Sequence, residues 1–446
     1  MAQTLVIQVG AKLVKSKATE PPKSIRERTG RILKMAGSLA SQELVRRIQG
    51  KSSNDSILSL SQIQVLVQEL GHLKGAAMKL GQMLALEARD YFPEEICIVL
   101  DQLQSDVSFL EYPVIESILK DQLGEKFSSL HQFSREPIAA ASIGQVHRAF
   151  LPGGEPVAVK VQYPGIRDSV HSDVKVLGSL MKTISVVMGK QVDLTGLVEE
   201  FSEIFMQESD YHSEAAFASE YKSLAAVVPE LVIPTIYPEF STEKVLTMDY
   251  QNGIKLNDWL KTTTATPEMR TFFGKAVLDL YSREFCEWGL VQTDPNLGNF
   301  LFKPSERKLV LLDFGATKRY DLTFRKLYSK LIMATLSKDK AKVLSIGEEM
   351  GLIDPRESPE AKSVFKELLF ESMHPITLPE YDFAESEYPE KMRKISRDLV
   401  RELRFSAPPK SLIFLHRKLS GIFYILRALK VKLPLTQYTQ RFEALL

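Results

Sequence analysis

An α+β fold in two lobes, with a helical extension ahead of them, is what this sequence predicts, and three observations lead there. First, "IGQVHRAF", a Pro-Gly-Gly turn and "PVAVKVQY" read as two strands joined by a turn. Second, "GLVQTDPNLGNFLF" places Asp294 five residues before Asn299, and "LLDFG" follows with Asp313, Phe314 and Gly315. Third, long stretches on either side carry apolar residues at helical spacing, among them "SQIQVLVQELGHLKGAAMKLGQMLALEA" and "LTFRKLYSKLIMATL". The boundaries that follow are a basic segment over 1–55, a helical extension over 56–135, a first lobe with a helical insert over 136–250 and a second lobe over 251–446.

A chain of 446 residues is too long for one simple core, which fits two or three units. Its 44% hydrophobic and 25% charged fractions are ordinary for a globular protein, and a formal net charge of +1 gives no global attraction to nucleic acid. Cys97 and Cys286 lie far apart and lack metal-ligand spacing, so neither a disulfide framework nor a zinc site is supported. No segment reaches the uncharged apolar length of a membrane span. The nearest, "SLIFLHRKLSGIFYILRALK", is broken by His416, Arg417, Lys418 and Arg427 and reads as a buried helix with a wet edge. "LVIQVG" is too short for a signal-peptide core.

The first 55 residues are basic and Ser-rich, and Ser24–Ile48 patterns as an amphipathic helix. A solvated face or tail is one reading. Contact with an anionic membrane surface is another, and a mitochondrial or plastid address a third, since acids are absent until Glu20. The next stretch is a proline-free helix that carries Gly71, Gly75, Ala76, Ala77 and Gly81. Each glycine inside a helix costs about 1 kcal/mol against alanine, and small residues concentrated this way let another backbone approach. Lys79 and Gln82, three apart, project from one face of it.

Each remaining piece alone is weak, but their order is informative. The nucleotide loop of protein kinases reads G-x-G-x-x-G-x-V and is followed by V-A-I-K on a strand. Gly144 and Val146 match its end, the earlier glycines fall on Ala139 and Ala141, and Lys160 stands in "VAVK". A lysine that grips α- and β-phosphates needs a carboxylate to fix its rotamer. "LVEEFSEIFMQESDYHSEAAFASEY" reads as one helix that holds Glu208, Asp210 and Glu214, and Glu214 is the mate expected for Lys160. Asp294 and Asn299 then have catalytic-loop spacing and Asp313 metal-segment spacing, although Gln292-Thr293 stands where His-Arg is usual. "KVLTMDY" followed by "QNG" reads as a hinge, where backbone groups from Asp249 to Gln251 meet adenine.

Taken together these motifs resemble the UbiB family of atypical kinases, also called the AarF or ADCK group. Its KxGQ hallmark is matched by Lys79 and Gln82, its alanine-rich loop by Ala139, Ala140, Ala141 and Ser142, and its ExD motif by Glu208-Ser209-Asp210. Its QTDPN loop and DFG segment stand as quoted, and the likeness runs from about residue 25 to the end. The resemblance implies a protein-kinase-like two-lobed fold with the helical extension packed over the active site. It implies ATP and Mg²⁺ as cofactors, and ATPase or small-molecule phosphotransfer in ubiquinone-type or related isoprenoid-lipid metabolism. Phenolic or isoprenoid ligands and peripheral membrane contact go with it. So does a cytoplasmic location, or a mitochondrial or plastid one in a eukaryotic cell.

Phosphoryl-transfer chemistry assigns the roles, since its work is positioning and charge neutralisation. Asp313 and Asn299 are the expected Mg²⁺ ligands. Lys160, set by Glu214, contacts phosphates, and Asp294 orients an attacking hydroxyl or water. Lys79 is expected to pair with Glu208, Asp210 or both and close the extension over the site, with Gln82 turned to the nucleotide. After "DFGATKRYD" the chain passes straight into a helical pattern with no A-P-E, so a peptide-docking platform is hard to build. Two other readings stay open: a pseudokinase that binds nucleotide without transfer, and a conventional protein kinase.

Overall fold

The computed structural model describes residues 109–141, 143–167, 202–203, 205–294, 296–384, 387–406 and 410–446. The basic N-terminal stretch, the helix of Lys79 and Gln82, Ser142 and the insert from residue 168 lie outside the described residues.

The first lobe begins with α1 (Tyr112–Leu123), whose Pro113 sits in the first turn, where the missing N–H has no helical partner to lose. Gly124, at φ 57°, closes it. Ile115, Leu119 and Leu123 recur at i, i+4 and i+8 and are buried. They pack on Val157, Val159 and Val161 of the neighbouring sheet. In chain order the next elements are β1 (Ala139–Ala141), β2 (Gly144–Phe150), β3 (Pro156–Gln162), α2 (Tyr211–Ala225), β4 (Leu231–Val232) and β5 (Val245–Asp249). The sheet runs β1-β2-β3-β5, all antiparallel. Side chains alternate along β3, so the valines facing α1 leave Lys160 and Gln162 on the opposite face, toward the second lobe.

Residues 197–221 read as one helix in the sequence; the structure breaks them. The helical turn at 205–208 stops at Ser209, and Asp210 begins α2. Asp210 accepts hydrogen bonds from the His212 N–H at 3.0 Å and the Ser213 hydroxyl at 3.3 Å. An aspartate in that position satisfies a donor the helix leaves open, which favours a new helix start over continuation.

In the second lobe, β4 pairs parallel with β8 (Lys308–Leu311), and β8 pairs with β7 (Phe300–Lys303). β6 (Leu290–Gln292) pairs with β9 (Thr317–Arg319). α3 (Pro267–Arg283) widens into a π turn over Glu284–Trp288 and ends at Gly289, φ 65°. A Cβ there would lie 2.9 Å from the Tyr320 carbonyl oxygen, so the turn that feeds β6 requires glycine. The core gathers Trp259, Phe273, Phe285, Phe300, Phe302 and Phe314, with Trp259 stacked on Phe302 at 5.3 Å.

Further helices are α4 (Leu322–Leu336), α5 (Lys340–Glu349), α6 (Pro359–Ser372), α7 (Tyr388–Glu402), α8 (Lys410–Leu429) and α9 (Thr439–Glu443), besides two single turns at Leu256–Trp259 and His374–Thr377. Among the described residues no helix is long and apolar enough to cross a membrane. α8 is the helix read as buried with a wet edge. Its edge holds Tyr424 and Arg427, but Arg417 and Lys418 are not on it: they are 6% and 2% exposed.

Glu357 ties the segment after α7 to the lobe. It accepts from the backbone N–H groups of Arg404, Phe405 and Ser406 and from the Ser406 hydroxyl, at 2.7–3.1 Å. Burial works against the charge, but these donors outweigh it and hold the carboxyl below its usual value. Hydrogen bonds to a charged group contribute about 1.5–3 kcal/mol, so Glu357→Gln should lower the Tm measurably at neutral pH. A depressed carboxyl pKa contributes stability above the unfolded value of 4.5, lost as pH falls through the folded one. Melts from neutral pH down to about 3 should therefore show the two proteins converging in acid; a pH-independent gap would assign the effect to shape rather than charge.

Candidate functional site

The site lies where β3, α2 and the segments after β6 and β8 meet. Lys160 projects from β3, is 7% exposed, and donates to both oxygens of Glu214 at 2.9 Å and to Asp313 Oδ2 at 3.4 Å. Its ammonium also stands 4.9 Å from the centre of the Tyr211 ring. Burial opposes the charge on Lys160, but Asp313 and Glu214 together outweigh it and hold the ammonium well above its usual range. Burial pushes the Glu214 carboxyl up to about 7, against the pull of Lys160. Glu214 lies in the first turn of α2, where the helix dipole favours a carboxylate.

Asp313 Oδ1 accepts the Gly315 N–H at 3.0 Å, which folds the Asp-Phe-Gly turn around the carboxylate. A Cβ on Gly315 would lie 3.3–3.5 Å from Glu208 Cγ, Asp313 Oδ1 and Glu214 Oε2, so three acids flank this glycine. Gln207 donates to the carbonyls of Gly315 at 2.9 Å and Thr317 at 2.8 Å and fixes the chain beyond the turn. Phe314 packs on Tyr221 of α2, centroids 5.0 Å apart.

The loop after β6 carries the other half. Asn299 Nδ2 donates to Asp294 Oδ2 at 3.1 Å, and the Leu312 N–H donates to the Asn299 carbonyl at 2.9 Å. Thr293 donates twice to the Ala316 carbonyl, through its N–H at 2.8 Å and its hydroxyl at 2.7 Å. These bonds lock the Asp294 loop to the Asp313 segment. In place of His-Arg, the residues before Asp294 are held from behind. Gln292 donates to the Asp294 carbonyl at 2.9 Å, its N–H reaches Glu284 at 3.2 Å, and Lys418 of α8 donates to its side-chain oxygen at 3.0 Å. Lys418 also pairs with buried Glu284 at 3.3 Å, and Glu284 accepts from the Tyr221 hydroxyl. Arg417 Nη2 donates to Asp294 Oδ1 at 2.7 Å.

The structure thus brings Lys160, Glu214, Asp313, Asp294 and Asn299 into one site. Ala139–Ala141, expected as part of an alanine-rich loop, form a strand paired with Gly144–Val146, and Ala140 is exposed. The Asp249 carboxylate accepts from the Thr235 N–H at 2.8 Å and the Tyr237 hydroxyl at 2.7 Å, and the Tyr250 N–H is given to the Pro156 carbonyl. Gln251 accepts from Lys303 at 3.1 Å. Glu208 is buried beside the site, whereas the Asp210 carboxylate is engaged in capping α2. Lys79 and Gln82, the residues expected to meet them, lie outside the described residues. Arg417 and Lys418, read from the sequence as a wet edge, and Glu284 and Gln207 were not read as site residues. The one signal available was two adjacent cations inside an apolar run.

The residues present suit a hard divalent cation. With Asn299 Nδ2 turned to Asp294, its Oδ1 is the atom left for a ligand, and Asp313 offers a partly exposed carboxylate. Among the described residues no cluster of three or more His, Cys, Asp or Glu side chains makes a ready-made metal cage. One carboxylate and one amide oxygen, completed by phosphate and water, is the way Mg²⁺ is usually held.

The ABC1 atypical kinase-like domain matches residues 102–347, more than half of the chain. The chain belongs to the UbiB family of atypical kinases. This UbiB-family chain is 32% identical over 397 residues to the atypical kinase COQ8, mitochondrial, of Schizosaccharomyces pombe, which covers 87% of it and 64% of that relative. It is 29% identical to the protein of the same name from Saccharomyces cerevisiae, over 83% of this chain and 74% of the relative. The chain therefore spans 64% of the first of these relatives, less than two thirds of its length, and 74% of the second. A solved Mycobacterium tuberculosis protein, Rv3197 in complex with erythromycin, matches 90% of this chain and 97% of its own, at 25% identity and a TM-score of 0.57. The kinase-like fold of this UbiB chain is thereby established, and Lys160, Glu214, Asp294, Asn299 and Asp313 fall within the matched domain. Arg417 and Lys418 lie beyond it.

Proposed function

We propose that the chain is an ATP- and Mg²⁺-dependent atypical kinase or ATPase that supports isoprenoid-quinone or related lipid metabolism and acts on a small or lipid-derived target, not on peptides. The observation that carries the nucleotide reading is Lys160 held between Glu214 and Asp313, opposite the Asp294–Asn299 loop. Lys160 would meet phosphate oxygens, with Glu214 fixing its rotamer. Asp313 and Asn299 would hold Mg²⁺, which supplies charge neutralisation on the transferred phosphoryl group when bound. Asp294 would accept the proton of the attacking hydroxyl or water. The short path from Gly315 through β9 to α4 supports the exclusion of peptides, because it leaves little chain for a docking platform. The quinone-lipid assignment rests on family membership and on relatives named COQ8.

The test is a thermal melt with ATP in Mg²⁺ and in EDTA, alongside phosphate release with and without detergent, lipid or small phenols. ATP should raise the Tm in Mg²⁺ and much less in EDTA, by ligand linkage. Asp313→Asn should erase the difference. A metal-dependent shift that survives in the variant would sink the assignment of Asp313. A shift without phosphate release under any condition would favour the nucleotide-gated binding module.

A further inference from the structure

We propose that α8 takes over the support that His-Arg gives a conventional catalytic loop, and that Arg417 is the positioning residue for Asp294. The proposal deepens the kinase or ATPase reading and rests on it.

The Asp294 carboxylate is pinned at both ends. Arg417 Nη2 holds Oδ1 at 2.7 Å, and Asn299 Nδ2 holds Oδ2 at 3.1 Å. The side chains of Arg417 and Asp294 are only 4% and 7% exposed. With both oxygens gripped, the plane of the carboxylate is set, and so is the direction of the lone pair that would receive a proton. The next residue on the helix, Lys418, reaches Gln292, two residues before Asp294, so α8 holds the loop at two points. The helix is itself fixed by Leu412, Phe414, Leu415, Ile422, Ile425, Leu426 and Leu429, all buried. A side chain mounted mid-helix in a packed core sets geometry more tightly than one on a loop.

Stability does not account for the pair. Among the described residues, Arg417 Nε and Nη1 are buried without a hydrogen-bond partner. A buried guanidinium with unmet donors opposes folding, and replacing a buried ion pair by apolar side chains is often neutral or stabilising. Its placement on the one carboxylate assigned to proton transfer is what sets it apart from a packing device.

The experiment compares wild type, Arg417→Met and Arg417→Lys for Tm, Mg-ATP affinity and phosphate release, with Asp294→Asn and Asp294→Asn/Arg417→Met beside them. Methionine keeps the length and the helix and removes the unmet donors. Arg417→Met should lower the Tm by a few degrees, because it leaves the buried Asp294 carboxylate without its counter-charge, and should hold the KM for ATP near wild type while kcat falls about a hundredfold, the usual consequence of a small misplacement of a reacting group. Arg417→Lys should recover part of kcat, since an ammonium can still meet Oδ1. Asp294→Asn should lower the Tm by a few degrees by leaving the guanidinium buried without its counter-charge, and adding Arg417→Met should restore it. Unchanged kcat in Arg417→Met overturns the proposal, and raised kcat overturns it in favour of a brake. A loss of ATP affinity in step with kcat also overturns it, by reducing Arg417 to a packing residue. If wild type itself releases no phosphate, the kinase or ATPase reading fails and the catalytic role of Arg417 with it, while the Tm cycle still decides whether the pair forms in solution.

Discussion

Lys160→Met is expected to lower stability by about 3–5 kcal/mol, because it removes one member of a buried ion pair, and to slow phosphate release about a hundredfold or more, because it removes a fixed charge aimed at the phosphates. Lys160 bridges Glu214, whose side chain is 1% exposed, and Asp313, so its loss leaves two carboxylates facing each other without the cation between them. The two effects can be separated. Lys160→Met/Glu214→Gln should regain most of the lost stability, since the second change removes the stranded charge, while turnover stays lost. The deficit should also depend on pH. Glu214 already sits at about 7 against an ordinary 4.5, driven up by burial, and without the pull of Lys160 it rises further. A raised carboxyl pKa contributes stability that is fully present below the unfolded value and is lost as pH rises through the folded one. Melts of the single variant should therefore lie nearer to wild type at about pH 5 than at about pH 8. A single variant as stable as wild type at both would show that Glu214 is not ionised in the native protein.

The parts of the site that were legible in the sequence are those whose chemistry fixes their order along the chain. A strand lysine, a helix carboxylate, Asp-x4-Asn and Asp-Phe-Gly recur in that order because one fold delivers them in that order, and the structure clusters Lys160, Glu214 and Asp313 on one side and Asp294 and Asn299 on the other, on segments bonded to each other. Position within an element was less legible. Glu208, Asp210 and Glu214 read as acids on one helix, yet Asp210 starts a new helix, which turns Glu208 and Glu214 toward Gly315 from two separate segments. An aspartate in the middle of a helical pattern is an N-cap signal, and weighing it against the periodicity would have located the break. The alanines at 139–141 have little strand preference of their own; their pairing is imposed by β2, whose register puts Ala139 opposite Val146.

Arg417 and Lys418 were illegible for a different reason. They act across more than a hundred residues of sequence, on a loop whose own motif is intact. A cation in an apolar helix reads by default as a solvated edge, and periodicity cannot distinguish that from a buried cation with a distant carboxylate. Gln292 made the same point in reverse. The loss of His-Arg was visible, but the glutamine gave no hint that its side-chain oxygen would accept from Lys418 while its amide held the Asp294 carbonyl. The support of the catalytic loop has moved out of the loop and into α8, where only the folded arrangement reveals it.

Gly144→Ala should be the most damaging of the glycine substitutions near the site. Gly144 pairs with Ala141 on one side and with Gln162 on the other, at the point where the alanine-rich strand turns into β2. A Cβ there would overlap the Val161 carbonyl oxygen and lie 3.0 Å from the Val161 carbonyl carbon. These are backbone atoms of β3 and cannot swing aside, so the strand itself must move, and Val161 is the neighbour of Lys160. Overpacking typically costs about 1–3 kcal/mol, more where backbone is displaced, and the upper part of that range is expected here. Nucleotide affinity should fall at least tenfold, since a displaced β3 carries Lys160 out of reach of Glu214 and of the phosphates. Gly153→Ala is the matched control on the same hairpin. The atoms it would crowd belong to the Glu155 side chain, which is exposed and free to rotate away, so both Tm and nucleotide binding should stay near wild type. The comparison is read from melts of the three proteins with and without Mg-ATP. If Gly144→Ala keeps the full nucleotide-dependent shift, β3 adjusts without moving Lys160, and the close approach of the two strands is not what the site needs from this glycine.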